Sequence, residues 1–444
     1  MTQATNRLVR AVGRFSLGAL MFNLVIGAGI LGVPSLIVAH LGKYSPLAYV
    51  VAILGMAAIA ACLAEVASQF DQTGGTYLYA RAAFGPFVAI QIGWFNWLAR
   101  VAGSSAGANL FISYLTQFFP GAWNWFVRIA VLALLIGVLA TVNYRGVGGG
   151  ARVSDFFAVL KTTLIVSFVI GGALVLLLRP AMRVSPQASG PITGADWFTV
   201  ILLLVHSFAG FESALAVSGE ARDPRKDAPR AIMAVLGIAF VLTLAVQCVV
   251  MYALPGAGGS SKPVADVAQR FLGPAGGSLV AICALIYIYG YLSAGVLGTP
   301  RLTFAMAEQG DFPRLFAAVH PRFRTPHNSI VAFSIMLLAF SILADFRWNT
   351  TISAVSRLVL YSSVVAALPV LRRKQPQARA FRLPYAGLFV ALALIFVGML
   401  VVRLHWPEMM VIAVTFGLGS LNWAWTIRSR AKEETSKANY VAKI

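Results

Sequence analysis

Two short stretches of this chain put helix-breaking residues inside long apolar runs. The first reads FNLVIGAGILGVP, with Gly27-Ala28-Gly29 near its middle; the second reads LLLVHSFAGFESALAVSGE, with Ser207, Gly210 and Glu212 near its middle. Glycine costs about 1 kcal/mol relative to alanine in a helix interior, so a glycine pair at that depth asks for a reason. Close helix–helix packing is one, because small residues let membrane helices approach. Interruption is another. Unwinding frees N–H groups at the start of one half-helix and C=O groups at the end of the other. The donors and the positive dipole end suit a carboxylate, and the acceptors suit an ammonium. An α-amino acid carries both groups on one carbon, so backbone chemistry points to that ligand class and leaves its side chain open.

Ionisable residues stand near the same depth. Lys161 lies in FFAVLKTTLIVSFVI. A Lys at the bilayer centre costs about 2.5–3.5 kcal/mol on insertion scales and is functional by default, with snorkelling to the interface as the alternative. Glu212 follows the second break by two residues and reads as a proton site, a gate or half of an ion pair. Arg100 and Arg357 are its candidate partners; snorkelling is the favoured reading for Arg357, whereas Arg100 either pairs internally or reaches the central cavity, where it would favour an acidic substrate side chain. Tyr287, Tyr289 and Tyr291 are spaced by two and cannot all face one side of a helix.

The elements that must position these groups follow from composition. The chain has 444 residues, 59% hydrophobic and 11% charged, with a mean hydropathy of +0.79. A soluble domain runs at roughly 45–50% apolar and 25% charged, which excludes a water-soluble globular protein. Spans are expected at residues 15–39, 44–68, 86–117, 124–142, 153–178, 196–219, 230–253, 278–304, 328–345, 350–371, 386–404 and 408–427. The two interruptions fall in the first and sixth, corresponding places in two five-span halves and the sequence pointer to a transporter's substrate site. The net charge of +20 reflects Lys and Arg gathered in alternate loops and the tail, which places both termini in the cytoplasm and argues against nucleic acid as a partner. Cys62, Cys248 and Cys283 sit in apolar runs without CxxC spacing, so neither a disulfide framework, a metal site nor any cofactor is expected. No Walker loop, HExxH or HxE…PCxxC motif is present, and an enzyme is not expected.

Several segments resemble the amino acid–polyamine–organocation (APC) superfamily of permeases. They are the G-A-G-I of the first span (Gly27–Ile30), EVASQFDQTGGTYLYARAAFGP (Glu65–Pro86), TVNYRGV (Thr141–Val147), FAGFES (Phe208–Ser213) with EARDPRKDAPRAI (Glu220–Ile232), and RLTFAMAEQGDFPRLFAAVHPRFRTPHNSI (Arg301–Ile330). The resemblance implies an all-α polytopic membrane protein of 12 transmembrane helices. Residues 1–14 would be a cytoplasmic N-terminus and 15–178 a first five-helix repeat. Residues 196–371 would form a second, inverted repeat, 386–427 the trailing helices 11 and 12, and 428–444 a cytoplasmic tail, expected to be disordered.

The same resemblance implies site residues. Backbone groups of Ile26, Gly27, Ala28 and Gly29 would hold a substrate carboxylate; the carbonyls of Val25, His206 and Ala209 would take the α-ammonium. Ala28 stands where many members have Ser, so a hydroxyl contact is missing. His206 stands where some place an aromatic gate, and Phe208 and Phe211 would be apolar lids beside Gly210. Ser104 would line the cavity. Lys161 would replace a sodium ion near Gly27, as in sodium-independent members. From the residues themselves, Glu220, Asp223 and Asp227 among Arg222, Arg225, Lys226 and Arg230 read mostly as solvated helix ends, with an ion-pair gate as the minority reading, to which Glu65 and Asp71 beside the second loop would contribute.

The function expected is alternating-access transport of L-α-amino acids, neutral ones first, as a proton symporter or a sodium-independent exchanger. The setting would be a bacterial inner membrane, as monomer or homodimer. The alternatives are a cationic amino acid or polyamine transporter of the same fold, and, from another class, a channel or a non-transporting sensor. A channel favours a continuous pore lined by rings of like residues, whereas two breaks converging on one point make an occluding site.

Overall fold

The structure, a computed structural model, describes residues 14–70, 74–121, 124–145, 150–214, 224–374 and 381–441. Every α-helix in it follows from an apolar run and its punctuation. The first run gives two helices, α1 (Arg14–Val25) and α2 (Gly29–Leu41), separated at Ile26–Ala28. Next come α3 (Ser45–Ser68), the short α4 (Thr76–Phe84), α5 (Pro86–Leu115), α6 (Trp125–Arg145) and α7 (Gly150–Leu178). The second interrupted run gives α8 (Gly194–Phe208) and α9 (Phe211–Ala214), parted by Ala209 and Gly210. Beyond it lie α10 (Pro224–Ala253), α11 (Pro263–Gly298), α12 (Pro300–Glu308), α13 (His327–Leu343), α14 (Phe346–Lys374), α15 (Ala386–Val402) and α16 (Trp406–Val441). Proline opens α5, α11 and α12, where its missing N–H costs nothing.

The described residues contain no strand, and the chain is an all-α polytopic membrane protein. Seven helical stretches among them are long and apolar enough to cross a bilayer, accompanied by three shorter apolar helices. Outer faces of α6, α7 and α16 carry exposed Leu134, Phe126, Leu177 and Leu421, surface that suits lipid. The interior is built around α5 and α14, which run along each other, with α3 against α10 behind them. Both broken pairs are set into this frame: α1 packs on α7, α10 and α9, and α2 packs on α8.

Some expectations are corrected. The stretch between α3 and α5, read as a plain loop, contains α4. The stretch before span eight holds the opening turns of α11, which bend at Gly273 (φ +74°) into the span itself. The tail expected to be disordered is helical through Val441, because no Gly or Pro follows Gly419 to end α16.

Candidate functional site

The two interruptions meet. A Cβ added to Gly210 would stand 2.4 Å from the Leu24 carbonyl oxygen, in the last turn of α1. A Cβ on Gly29 would stand 2.7 Å from Ser207 Oγ and 3.0 Å from Ser207 Cα, in the last turn of α8. Gly210 also has φ +122°, a conformation side chains rarely adopt, so glycine is required there twice over. Gly27 serves a different approach: a Cβ there would lie 2.7 Å from the Tyr291 ring, which also lies against Gly107 of α5, while the Tyr291 hydroxyl faces Gly103. Three glycines thus make the slot for one tyrosine side chain.

At the first break, cationic and hydroxyl donors cover the carbonyls. Lys161, fully buried on α7, directs its Nζ to the Asn23 oxygen at 3.3 Å and the Ile26 oxygen at 3.4 Å. Its ammonium lies 4.4 Å from the centre of the Tyr287 ring, a cation–π distance. The Tyr287 hydroxyl donates to the Ile26 oxygen at 2.7 Å, with the Gly27 oxygen at 3.2 Å. Snorkelling is therefore not what Lys161 does. The N–H groups behave oppositely: Ile26 donates to Phe22 and Gly27 to Val25, while those of Ala28, Gly29 and Ile30 find no acceptor among the described residues. They open α2, where the dipole is positive.

At the second break an anion covers the donor. Glu212 Oε2 accepts the Gly210 N–H at 2.8 Å and the Tyr361 hydroxyl at 3.1 Å; Oε1 pairs with Arg357 Nε at 3.0 Å. Arg357 is 4% exposed, which overturns the snorkelling expectation. Its Nη1 also donates to Ser353 and lies 3.4 Å from His206 Nδ1. The signal was present in sequence: Ser353, Arg357 and Tyr361 recur every four residues and so share one face of α14. Arg100 belongs to a similar row on α5. Its Nε donates to Asn96 at 3.0 Å, and its buried Nη2 has no partner among the described residues.

The remaining expected residues divide. Of the three carbonyls expected to take an ammonium, those of Val25 and His206 each accept one backbone N–H, and that of Ala209 accepts none among the described residues. Ser104 is buried and faces Gly295 of α11. Phe208 sits edge-on to Tyr49 and tilted on Phe240, so it packs toward α3 and α10; Phe211 stacks on Tyr361 at 6.0 Å. Tyr287 and Tyr291, one turn apart, reach the first break and Tyr289 does not share their face, which resolves the three-tyrosine row.

Ion pairs cluster at one end of the bundle. Asp311, fully buried, accepts from Arg81 and Tyr77 and, at 2.7 Å, from Arg430. Glu65 takes Arg372 bidentately, both contacts 2.7 Å, and the Leu383 N–H at 2.7 Å. Of the loop acids expected there, Asp71, Glu220 and Asp223 lie outside the described residues, as does Arg222.

Comparison with known proteins agrees with this architecture. The family model described as amino acid permease matches residues 12–422. Among curated relatives, the methylthioribose transporter of Bacillus subtilis (strain 168) is 27% identical over 398 residues, 85% of each chain. The branched-chain amino acid permease BcaP of the same organism is 25% identical over 91% of this chain and 90% of its own. Its serine/threonine exchanger SteT is 24% identical over 85% and 87%. With a family match over nearly its whole length and an all-α membrane fold, the chain belongs to the amino acid permease family of the APC superfamily.

Proposed function

We propose that this permease is a secondary active transporter of L-α-amino acids with uncharged side chains, working by alternating access without sodium. Twelve crossings, two inverted repeats and cytoplasmic termini in a bacterial inner membrane go with that reading, as does a transporter's lack of enzymatic chemistry. The observation that carries it is the division of labour at the first break. Lys161 and Tyr287 occupy the carbonyls of Asn23, Ile26 and Gly27, while the N–H groups of Ala28, Gly29 and Ile30 are left without acceptors among the described residues. A fixed ammonium where a metal cation could coordinate carbonyls supports sodium independence. Unmatched donors at a helix N-terminus suit the substrate carboxylate, with the Ala209 carbonyl as an acceptor for its ammonium.

Charge bears on the choice between neutral and cationic substrates. Lys161, Arg100 and Arg357 are buried near the breaks against, among the described residues, one carboxylate, that of Glu212, which is engaged by Arg357, Gly210 and Tyr361. A cationic side chain would meet net positive charge, so the polyamine reading is disfavoured. The names of BcaP and SteT, amino acid transporters both, lean the same way.

The test is uptake of radiolabelled neutral amino acids into proteoliposomes, with and without internal amino acid and an inward proton gradient. Acceleration by internal substrate alone indicates exchange, and acceleration by the proton gradient indicates symport. A strict sodium requirement, or transport of lysine or putrescine in preference to neutral amino acids, would refute the proposal.

A further inference from the structure

A second site lies away from the breaks, at the foot of α11. The end of α6, the last turn of α11, the start of α12 and the loop before α13 line an open cavity of about 440 Å³. Four arginines line it: Arg145, Arg301, Arg322 and Arg324. All four are exposed, and none meets a carboxylate among the described residues. Arg81, Arg357, Arg372 and Arg430 behave differently, since each has a carboxylate partner. Four like charges converging on one cavity repel one another unless an anion joins them.

The loop that supplies two of them is held in shape. His320 Nδ1 accepts the N–H groups of Arg322 and Phe323, both at 3.2 Å, and the His320 carbonyl accepts that of Arg324 at 2.9 Å. Arg324 is kept at φ +57°, which few non-glycine residues adopt. The His320 ring stacks on Phe323 and meets Tyr144 edge-on, while Thr325 Oγ1 donates to the Tyr144 carbonyl at 2.7 Å. This ties the loop to the end of α6, so the guanidinium groups start from a fixed backbone. The position also matters. Arg145 ends the apolar α6, and exposed Val142 and Val331 stand within a turn of the lining residues Arg145 and Ile330. The charges therefore sit beside exposed apolar side chains at the end of a helix long and apolar enough to cross a bilayer.

We propose that this pocket binds an anionic phosphate, supplied by the headgroup of an acidic phospholipid. Guanidinium forks match phosphate oxygens in geometry and charge, and basic pockets between membrane helices recognise such headgroups. The full chain, purified in uncharged detergent, is titrated with short-chain phosphatidylglycerol, short-chain phosphatidylcholine and glycerol 3-phosphate, and thermal stabilisation is read. Saturable stabilisation by phosphatidylglycerol is expected, and none by phosphatidylcholine. Arg145→Gln should weaken the apparent affinity about fivefold, and Arg301→Gln, Arg322→Gln and Arg324→Gln together on the order of a hundredfold. Arg373→Gln, an equal loss of charge on exposed surface elsewhere, should leave it unchanged. Glycerol 3-phosphate binding as tightly as the lipid would support the phosphate site with a soluble source, and weaker binding would support the membrane source. Equal stabilisation by phosphatidylcholine, or equal weakening by Arg373→Gln, would overturn the proposal. If the triple variant does not fold, the single variants Arg301→Gln and Arg322→Gln carry the same comparison.

Discussion

The two breaks solve one physical problem with opposite charges. At the first, unwinding leaves carbonyl oxygens pointing inward, and a cation from a neighbouring helix, Lys161, meets two of them. At the second, the chain opens at Gly210, and an anion two residues on, Glu212, takes the exposed N–H. In lipid, an unsatisfied backbone group costs several kcal/mol, and each charge offsets part of that cost at its break, at the first together with the Tyr287 hydroxyl. The supports differ in reach. Lys161 comes from another helix and has no carboxylate partner among the described residues, whereas Glu212 is local and is anchored by Arg357 and Tyr361 of α14. The first break is thus the better placed to respond to a ligand, and the second to serve as the fixed wall.

The largest effect should come from the fixed wall. Glu212→Gln keeps the side chain's shape and leaves Arg357 a buried, uncompensated charge, which typically costs about 3–5 kcal/mol. Thermal unfolding of the detergent-solubilised protein should register this as a large loss of stability. Adding Arg357→Gln should return part of it, because the unpaired charge is gone. A double variant no more stable than Glu212→Gln alone would show that the pair does not act as one unit.

Removing the cation of the first break should instead spare the fold and strike transport. Hydrogen bonds to charged groups contribute about 1.5–3 kcal/mol each, and Lys161 makes two to carbonyls of the break. Losing them in Lys161→Ala is expected to cut uptake by more than about a hundredfold while the elution profile of the purified protein stays that of the wild type. Near wild-type uptake would remove Lys161 from the mechanism. Gly210→Ala tests the contact between the breaks. Its Cβ would meet the Leu24 carbonyl at 2.4 Å in a conformation alanine resists, a penalty of about 1–3 kcal/mol for the backbone alone. The melting temperature should fall, and substrate affinity should fall with it.

How much of this could be read in the sequence depends on the range of the interaction. Interruptions at Gly27 to Gly29 and at Gly210 are local backbone events, and glycine inside an apolar run announces them. The partner of Lys161 was legible only through resemblance to a family, since it lies 135 and 138 residues away in the chain. Arg357 was misread because one charged residue in a span fits both a snorkelling and a buried role. The row formed by Ser353 and Tyr361 separates the two, a periodicity visible only when α14 is read as a face. The helix α4 was missed because its nine residues carry too short an apolar pattern to stand out from a loop. The continuation of α16 is hidden in the sequence because a polar, charged composition fits both disorder and a solvated helix end, and no Gly or Pro separates the two.

The smallest effect probes how Glu212 is held once its ion pair is in place. Tyr361 does two jobs there, donating its hydroxyl to Oε2 at 3.1 Å and stacking its ring on Phe211 with an interplanar angle of 8°. Tyr361→Phe removes the first and keeps the second. The Gly210 N–H and Arg357 still engage the carboxylate, so the loss should be that of one hydrogen bond to a charged acceptor, about 1.5 kcal/mol, or roughly tenfold if it falls on transport. Measuring both unfolding and uptake separates the possibilities. A loss confined to stability makes Tyr361 part of the wall, in line with the contrast between the breaks. A loss confined to uptake would mean that the second break also moves during transport, and the division into a responsive and a fixed side would fail.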